Sequence, residues 1–209
     1  MLFLGKKDNF YAIQAGEFIK QHFPEAEIVF VERTDTGISL DKEILPTKRD
    51  YIISFLSPFI VPKAYLTNTT HAINFHPGSP DYPGTGCTNF AIYDGVKEYG
   101  VTSHLMAPKV DSGQIINVMR FPIHETDTVY SLTEKCYGFM LMQFYVVVGN
   151  IVKKKPIQYT MEEWSRPAYK MKEFQKLRIV TKDMSQEEIQ RRIKATTYPG
   201  YPSVYMEDE

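Results

Sequence analysis

Apolar residues follow two rhythms along the first half of the chain. Short, nearly continuous apolar runs at 1–4, 27–32, 51–55 and 72–75 read as buried strands. Helical spacing lies between them. Asp8 or Asn9 offers an N-cap for a helix that would turn Phe10, Ile13, Phe18, Ile19 and Phe23 inward and stop at Pro24. A short helix is expected over 62–66. Strands separated by helices imply right-handed crossovers and a mainly parallel sheet covered on both faces. Ligands of such sheets sit outside the carboxyl ends of the strands.

The pattern changes at residue 76. Between His76 and Thr88, six of thirteen residues are Gly or Pro, the density of a shaped loop. A helix over 89–97 follows, then strands over 101–106 and 114–121. Their seven-residue connector, 107–113, suits an antiparallel pair, so the sheet is mixed. Ser131 with Glu134 forms a capping-box pattern near the start of a long apolar helix. Its most apolar part, 136–152, is interrupted by Gly138, Gln143, Gly149 and Asn150, and crossing a bilayer takes about 20 apolar residues, so it reads as a buried helix. After Lys153, Lys154, Lys155 and Pro156 the chain becomes more polar. The expected organisation is an α/β main domain over 1–155 and a C-terminal extension over 156–209 packed on it. Ser185 with Glu188 is a second capping pattern, and Ile189 and Ile193 give that helix a narrow apolar stripe.

Composition adds exclusions. Of 209 residues, 43% are apolar and 23% charged, which argues against disorder. The 24 basic and 25 acidic side chains nearly cancel, which removes the broad basic field of a dedicated nucleic-acid binder. Two cysteines, Cys87 and Cys136, exclude a disulfide framework and fit reduced thiols in the cytoplasm. The apolar run at the N-terminus is too short for a signal peptide. No zinc spacing, phosphate-binding glycine loop or serine-hydrolase elbow is present, and no metal is expected.

Of the histidines, His76 stands directly after a strand at the mouth of the Gly/Pro loop. Asn74 lies two positions earlier and so projects to the same side. An amide and an imidazole side by side can polarise a carbonyl and move a proton. Asp111, in the loop after a later strand, could reach the imidazole if both loops share a sheet edge; it would then orient the ring and stabilise its charge. The trio suits attack on a carbonyl, although Asp before Ser-Gly also fits an ordinary turn. His104 reads as a hydrogen-bonded strand histidine.

Three segments read together: 50–62 (DYIISFLSPFIVP), 73–80 (INFHPGSP) and 104–116 (HLMAPKVDSGQII). Across about residues 1–150 the chain resembles the formyltransferases that use N10-formyltetrahydrofolate. Their catalytic signature is Asn-x-His followed some 35 positions later by Asp-x-Gly; here Asp111 follows His76 by 35. The resemblance implies a Rossmann-like domain and direct transfer of the formyl group to an acceptor amine. Asn74 would hold the formyl oxygen, His76 would stabilise the oxyanion, and Asp111 would set the imidazole and relay the amine proton. It also implies that the pterin slots between Leu56, Ser57, Pro58, Phe59 and Ile60 on one side and Ala107, Pro108, Lys109 and Val110 on the other.

The acceptor separates the branches of that family. The balanced charge disfavours tRNA. The first loop, 5–9 (GKKDN), departs from the loop with which glycinamide ribonucleotide formyltransferases hold phosphate. The block 76–87 (HPGSPDYPGTGC), with 99–102 (YGVT) and 193–199 (IKATTYP), is most similar to the sugar N-formyltransferases that feed bacterial surface polysaccharides. The resemblance therefore implies a nucleotide-linked amino sugar as acceptor, with Tyr82, Tyr93, Tyr198 or Tyr201 free to stack on it. It leaves a homodimer open and implies no membrane partner. A formyltetrahydrofolate hydrolase, with water in place of the amine, would use the same trio.

Overall fold

The computed structural model describes residues 1–34, 37–40 and 47–206; the acidic tip at 207–209 lies outside them. Nine strands and six helices are defined there: β1 (Leu2–Lys6), α1 (Phe10–His22), β2 (Glu27–Thr34), β3 (Gly37–Leu40), β4 (Arg49–Phe55), α2 (Lys63–Thr67), β5 (Thr69–His76), α3 (Cys87–Asp94), β6 (Glu98–Leu105), β7 (Ile115–Pro122), α4 (Val129–Val152), α5 (Met171–Arg178), β8 (Ile179–Val180), α6 (Gln186–Thr196) and β9 (Tyr205–Met206). Seven strands form one sheet in the order β3-β2-β1-β4-β5-β6-β7. Its centre, β2-β1-β4-β5, is parallel; β3, β6 and β7 are antiparallel additions. The mixed, mostly parallel sheet is the one expected.

Alternation along the central strands divides the core. Phe3, Ile53, Ile73 and Phe75 face α1, α3 and α4 in the larger cluster. Leu2, Leu4, Ile52 and Ala72 face the other way, where Phe59, Val61, Tyr65, Leu66 and Met106 cover them. Asn74 and His76 continue the row of Ala72, so the second face carries the polar site on the sheet surface. α4 has the length and composition of a membrane-crossing helix, yet Cys136, Met140, Phe144 and Val148 are buried in the main core.

Three local expectations are corrected. α1 starts at the Asn9 cap, which accepts from the Ala12 amide, but Phe10 and Ile13 are 65% and 40% exposed. Ala12, Ala15, Gly16 and Ile19 form its buried face instead. Small residues let the helix lie close to the sheet: a Cβ on Gly16 would come within 3.0 Å of the Phe30 ring. At α4 the capping box is Thr128 with Ser131, one turn ahead of the Ser131–Glu134 pattern. α3 begins at Cys87 and ends where Gly95 takes a left-handed conformation (φ 66°), earlier than the expected 89–97 span.

The extension contains α5, β8 and β9, which periodicity did not indicate, and α6, which Ser185 caps by accepting from the Glu188 amide. Glu188 does not return the bond as a box would; it pairs with Arg192, Arg191 and Tyr93. Ile189 and Ile193 are half-buried on that helix. Asn89 of α3 donates to the Ala195 carbonyl at 2.8 Å, which joins the extension to the body.

Candidate active site

Asn74 and His104 face each other across the antiparallel β5–β6 ladder, and His76 faces Thr102. A β-bulge at Ser103/His104 shifts the β6–β7 register beside this pair and re-aims the local side chains. The buried amide of Gln143, on α4, braces that irregularity by donating to the carbonyls of Val101 and Asn117.

Asp111 reaches the histidines by a route the sequence did not indicate. Because β6 runs opposite to β5, its carboxyl end lies beside Ala72, to which the Met106 amide is bonded, and not at the carboxyl edge of β5. The connector then folds back over the sheet. Two features permit this: Asp111 adopts φ +42°, and Gly113 passes so close to the Leu105 carbonyl that a Cβ there would lie 1.8 Å from the oxygen. The expectation of two loops at one sheet edge is thus corrected, while the convergence itself stands.

One carboxylate bridges two imidazoles. Asp111 Oδ2 lies 3.2 Å from His76 Nδ1, and Oδ1 lies 3.2 Å from His104 Nε2. The Gly84 amide donates to Oδ2 at 2.8 Å. Asn74 Nδ2 is 3.2 Å from His104 Nε2. The other ring nitrogens are held by backbone carbonyls: His76 Nε2 donates to Tyr82 at 2.9 Å and His104 Nδ1 to Leu105 at 2.8 Å. With one nitrogen pinned as donor, each ring can donate to Asp111 only when it carries a second proton. Burial alone would raise the Asp111 pKa. The charge of His76, the hydrogen bond and charge of His104, and the Gly84 amide outweigh it and hold the carboxyl well below the usual carboxylate range.

A half-open cleft of about 140 Å³ opens onto this cluster. Asn74, His104 and Asp111 line it, with Ser57, Pro58, Phe59, Ile60 and Val61 on one wall and Ala107, Pro108, Lys109 and Val110 on the other. Leu56 is not on the wall. With φ +56° it turns back to bridge Gly5 and packs against the main core. His76 does not line the cleft either; its ring is 5% exposed and committed to Asp111 and Tyr82. The sequence marks His104 only as a hydrogen-bonded strand histidine, yet it is the imidazole that meets the cleft. Its place opposite Asn74 depends on strand register, which a linear sequence does not display. The remaining three histidines lie apart: His22 is bonded to the Phe18 carbonyl, His71 is stacked on Tyr51, and His124 precedes α4, its backbone amide donating to Asp127.

A second cleft, about 350 Å³, begins at Pro77, the residue after His76. Lys6, Arg178, Cys87, Thr88, Tyr137, Phe174, Tyr198 and Tyr201 are among its walls, and among the described residues no Asp or Glu lines it. Tyr198 and Tyr201 are the two expected stacking tyrosines that reach it. Tyr82 is buried with its hydroxyl on Asp94, and Tyr93 lies under Arg191. Both cysteines are free. Burial pushes the Cys87 thiol up to about 11, and its Sγ donates to the Pro77 carbonyl. Among the described residues, no group of three or more His, Cys, Asp and Glu is placed to hold a metal ion.

The sheet thus gathers an amide, two imidazoles and a carboxylate on one face, a set able to polarise a carbonyl and move a proton. The description of the formyl transferase family matches residues 10–145, and the chain belongs to that family. A curated relative, the GDP-perosamine N-formyltransferase of Brucella melitensis, is 26% identical over 155 residues, covering 73% of this chain and 59% of its own length. The chain therefore spans about three fifths of that relative. Solved structures share the fold. A sugar N-formyltransferase from a Shewanella species superposes with a TM-score of 0.76 at 18% identity, covering 99% of this chain and 92% of that one. The Helicobacter canadensis N-formyltransferase in complex with folinic acid and dTDP-3-aminofucose superposes with a TM-score of 0.74 at 18% identity, covering 98% and 82%.

Proposed function

We propose that this chain transfers the formyl group of N10-formyltetrahydrofolate to the amine of a nucleotide-linked amino sugar. The observation that carries the reading is the convergence of Asn74, His104 and Asp111 on the wall of the first cleft, with His76 bonded to Asp111 behind them and a second cleft beginning at Pro77. The first has apolar walls and loop backbone, which suits the flat pterin of the donor. The second has two cations, aromatic rings and no acid, which suits a sugar joined to a nucleoside diphosphate. The relatives named above act on, or were solved with, molecules of those two kinds.

In this reading the amine attacks the formyl carbon, negative charge grows on the formyl oxygen, and the bond to N10 of the folate then breaks. The Asn74 amide donates to that oxygen. His104, at the cleft wall, and His76, behind it, are the two imidazoles that Asp111 orients, and an imidazolium at either position would offset the growing negative charge. The proton lost by the amine passes through solvent to N10 of the folate as that bond breaks, with the Asp111 carboxylate compensating the positive charge that arises nearby. His76 acts through charge and through Asp111, since its Nε2 is bonded to Tyr82 in this structure. We place the reaction in the cytoplasm, with small molecules as partners.

The test is incubation of the protein and the formyl donor with a panel of GDP-, UDP- and dTDP-linked amino sugars, methionyl-tRNA and glycinamide ribonucleotide, read by mass spectrometry. A gain of one formyl group on a sugar supports the proposal. Formyl gain only on another acceptor, or release of free formate without any formylated acceptor, refutes it.

A further inference from the structure

The chain has a single tryptophan, Trp164, on the segment between α4 and α5. Its indole lies 5.0 Å from the His104 ring, centroid to centroid, and perpendicular to it. The same indole lies 5.9 Å from the His76 ring at 68°. Its Nε1 donates to the Gly113 carbonyl at 2.8 Å, in the connector that carries Asp111. One side chain thus touches both imidazoles and the loop of the carboxylate between them, groups delivered by β5, β6 and the 106–114 connector.

The backbone around Trp164 does the same on a larger scale. The Thr160 amide bonds to the Ile115 carbonyl at the start of β7. Ser165 donates to Pro80, Tyr169 donates to Pro83, and the Thr85 amide donates back to Tyr169, all within the Gly/Pro loop. Gly84 pairs with Tyr169 and passes so close that a Cβ would lie 2.4 Å from the Tyr169 carbonyl oxygen. The Gly84 amide is the one that donates to Asp111. Residues 160–169 therefore span both site loops, with Trp164 at the middle.

We infer that Trp164 is a positioning residue for the His76–Asp111–His104 cluster. Perpendicular aromatic packing fixes the tilt of both imidazoles and excludes water from the side away from the first cleft. Low local dielectric strengthens the two imidazole–carboxylate interactions. Trp164 does not line the first cleft, so its loss acts on turnover and not on donor binding. This kinetic consequence rests on the proposed formyl transfer; the packing claim is tested without it.

The experiment compares the wild type with Trp164→Phe and Trp164→Ala, each checked for folding by its urea midpoint. The ring N–H protons of His76 and His104 are recorded by NMR, where they are visible only while sheltered from exchange. Steady-state kinetics are measured with the donor varied. Trp164→Ala is expected to lose the ring N–H signals and to lower kcat about tenfold, with the donor KM within about twofold. Trp164→Phe keeps an aromatic ring without the indole N–H and is expected to recover most of both. A folded Trp164→Ala that keeps the ring N–H signals overturns the inference. So does one that loses them at unchanged kcat. Absence of formyl transfer by the wild type refutes the functional proposal alone, and the NMR comparison then decides the role of Trp164.

Discussion

Asn74 stands directly opposite His104 across the β5–β6 ladder, with Nδ2 and Nε2 3.2 Å apart at the wall of the first cleft. The pair turns two polar groups, distant in sequence, toward one point. A donor amide fixed by the central sheet needs no reorganisation when charge develops beside it. His104→Gln retains a donor of similar reach but removes the imidazole. It is expected to lower kcat about 100-fold, the lower end of the loss for a single group that stabilises developing charge. Formylation rates at saturating donor check this; a wild-type kcat would show that His104 only packs.

His76→Ala is expected to reduce transfer by about 100-fold or more, the scale of a lost electrostatic stabiliser. The fold should survive, because the site row lies at the end of β5 while Ile73 and Phe75 hold the strand from the other face. Near-wild-type transfer by a variant with a native circular dichroism spectrum would remove His76 from the mechanism.

Asp111→Asn keeps the shape and removes the charge. Turnover should fall while donor binding, followed by fluorescence titration, changes little. The same substitution bears on acid stability. The Asp111 carboxyl is depressed in the folded state, so its contribution is full above the unfolded value of about 3.9 and is lost as pH falls below it. Between about pH 4 and pH 2 the urea midpoint of the wild type should therefore fall more steeply than that of Asp111→Asn. Parallel slopes would mean that the carboxylate is not selectively stabilised by folding.

Arg178→Ala tests the second cleft. The guanidinium is held at the cleft wall by three acceptors, the Ser203 and Pro202 carbonyls and the Gln175 side chain, and it brings one of the two cations there. The acceptor KM should rise about tenfold, and Arg178→Lys should fall between the two. An unchanged acceptor KM with the nucleotide-linked sugar would place its phosphates elsewhere. The donor KM serves as the internal control.

Much of the architecture is visible in the chain because local rules and tertiary demands coincide there. The strands at β1, β2, β4 and β5 are short apolar runs, and the antiparallel β6–β7 pair follows from a short connector. Asn74 and His76 share a side by simple alternation. What escapes is register and phase. Phe10 and Ile13 look like a core face, but the helix packs through Ala12, Ala15 and Gly16, where small size decides and hydrophobicity does not. His104 enters the site through a cross-strand pairing, and Leu56 leaves it through a left-handed turn. Trp164 is separated from its histidine partners by 60 residues or more, and no periodicity links a lone aromatic in a polar stretch to them.

The strap formed by residues 160–169 has a consequence for biosynthesis. A ribosome delivers β5, β6 and the Asp111 connector well before the segment that ties them together. The catalytic groups are therefore translated before the indole and the backbone bonds that brace them, so on the role inferred for Trp164 the last stage of site ordering waits for the strap.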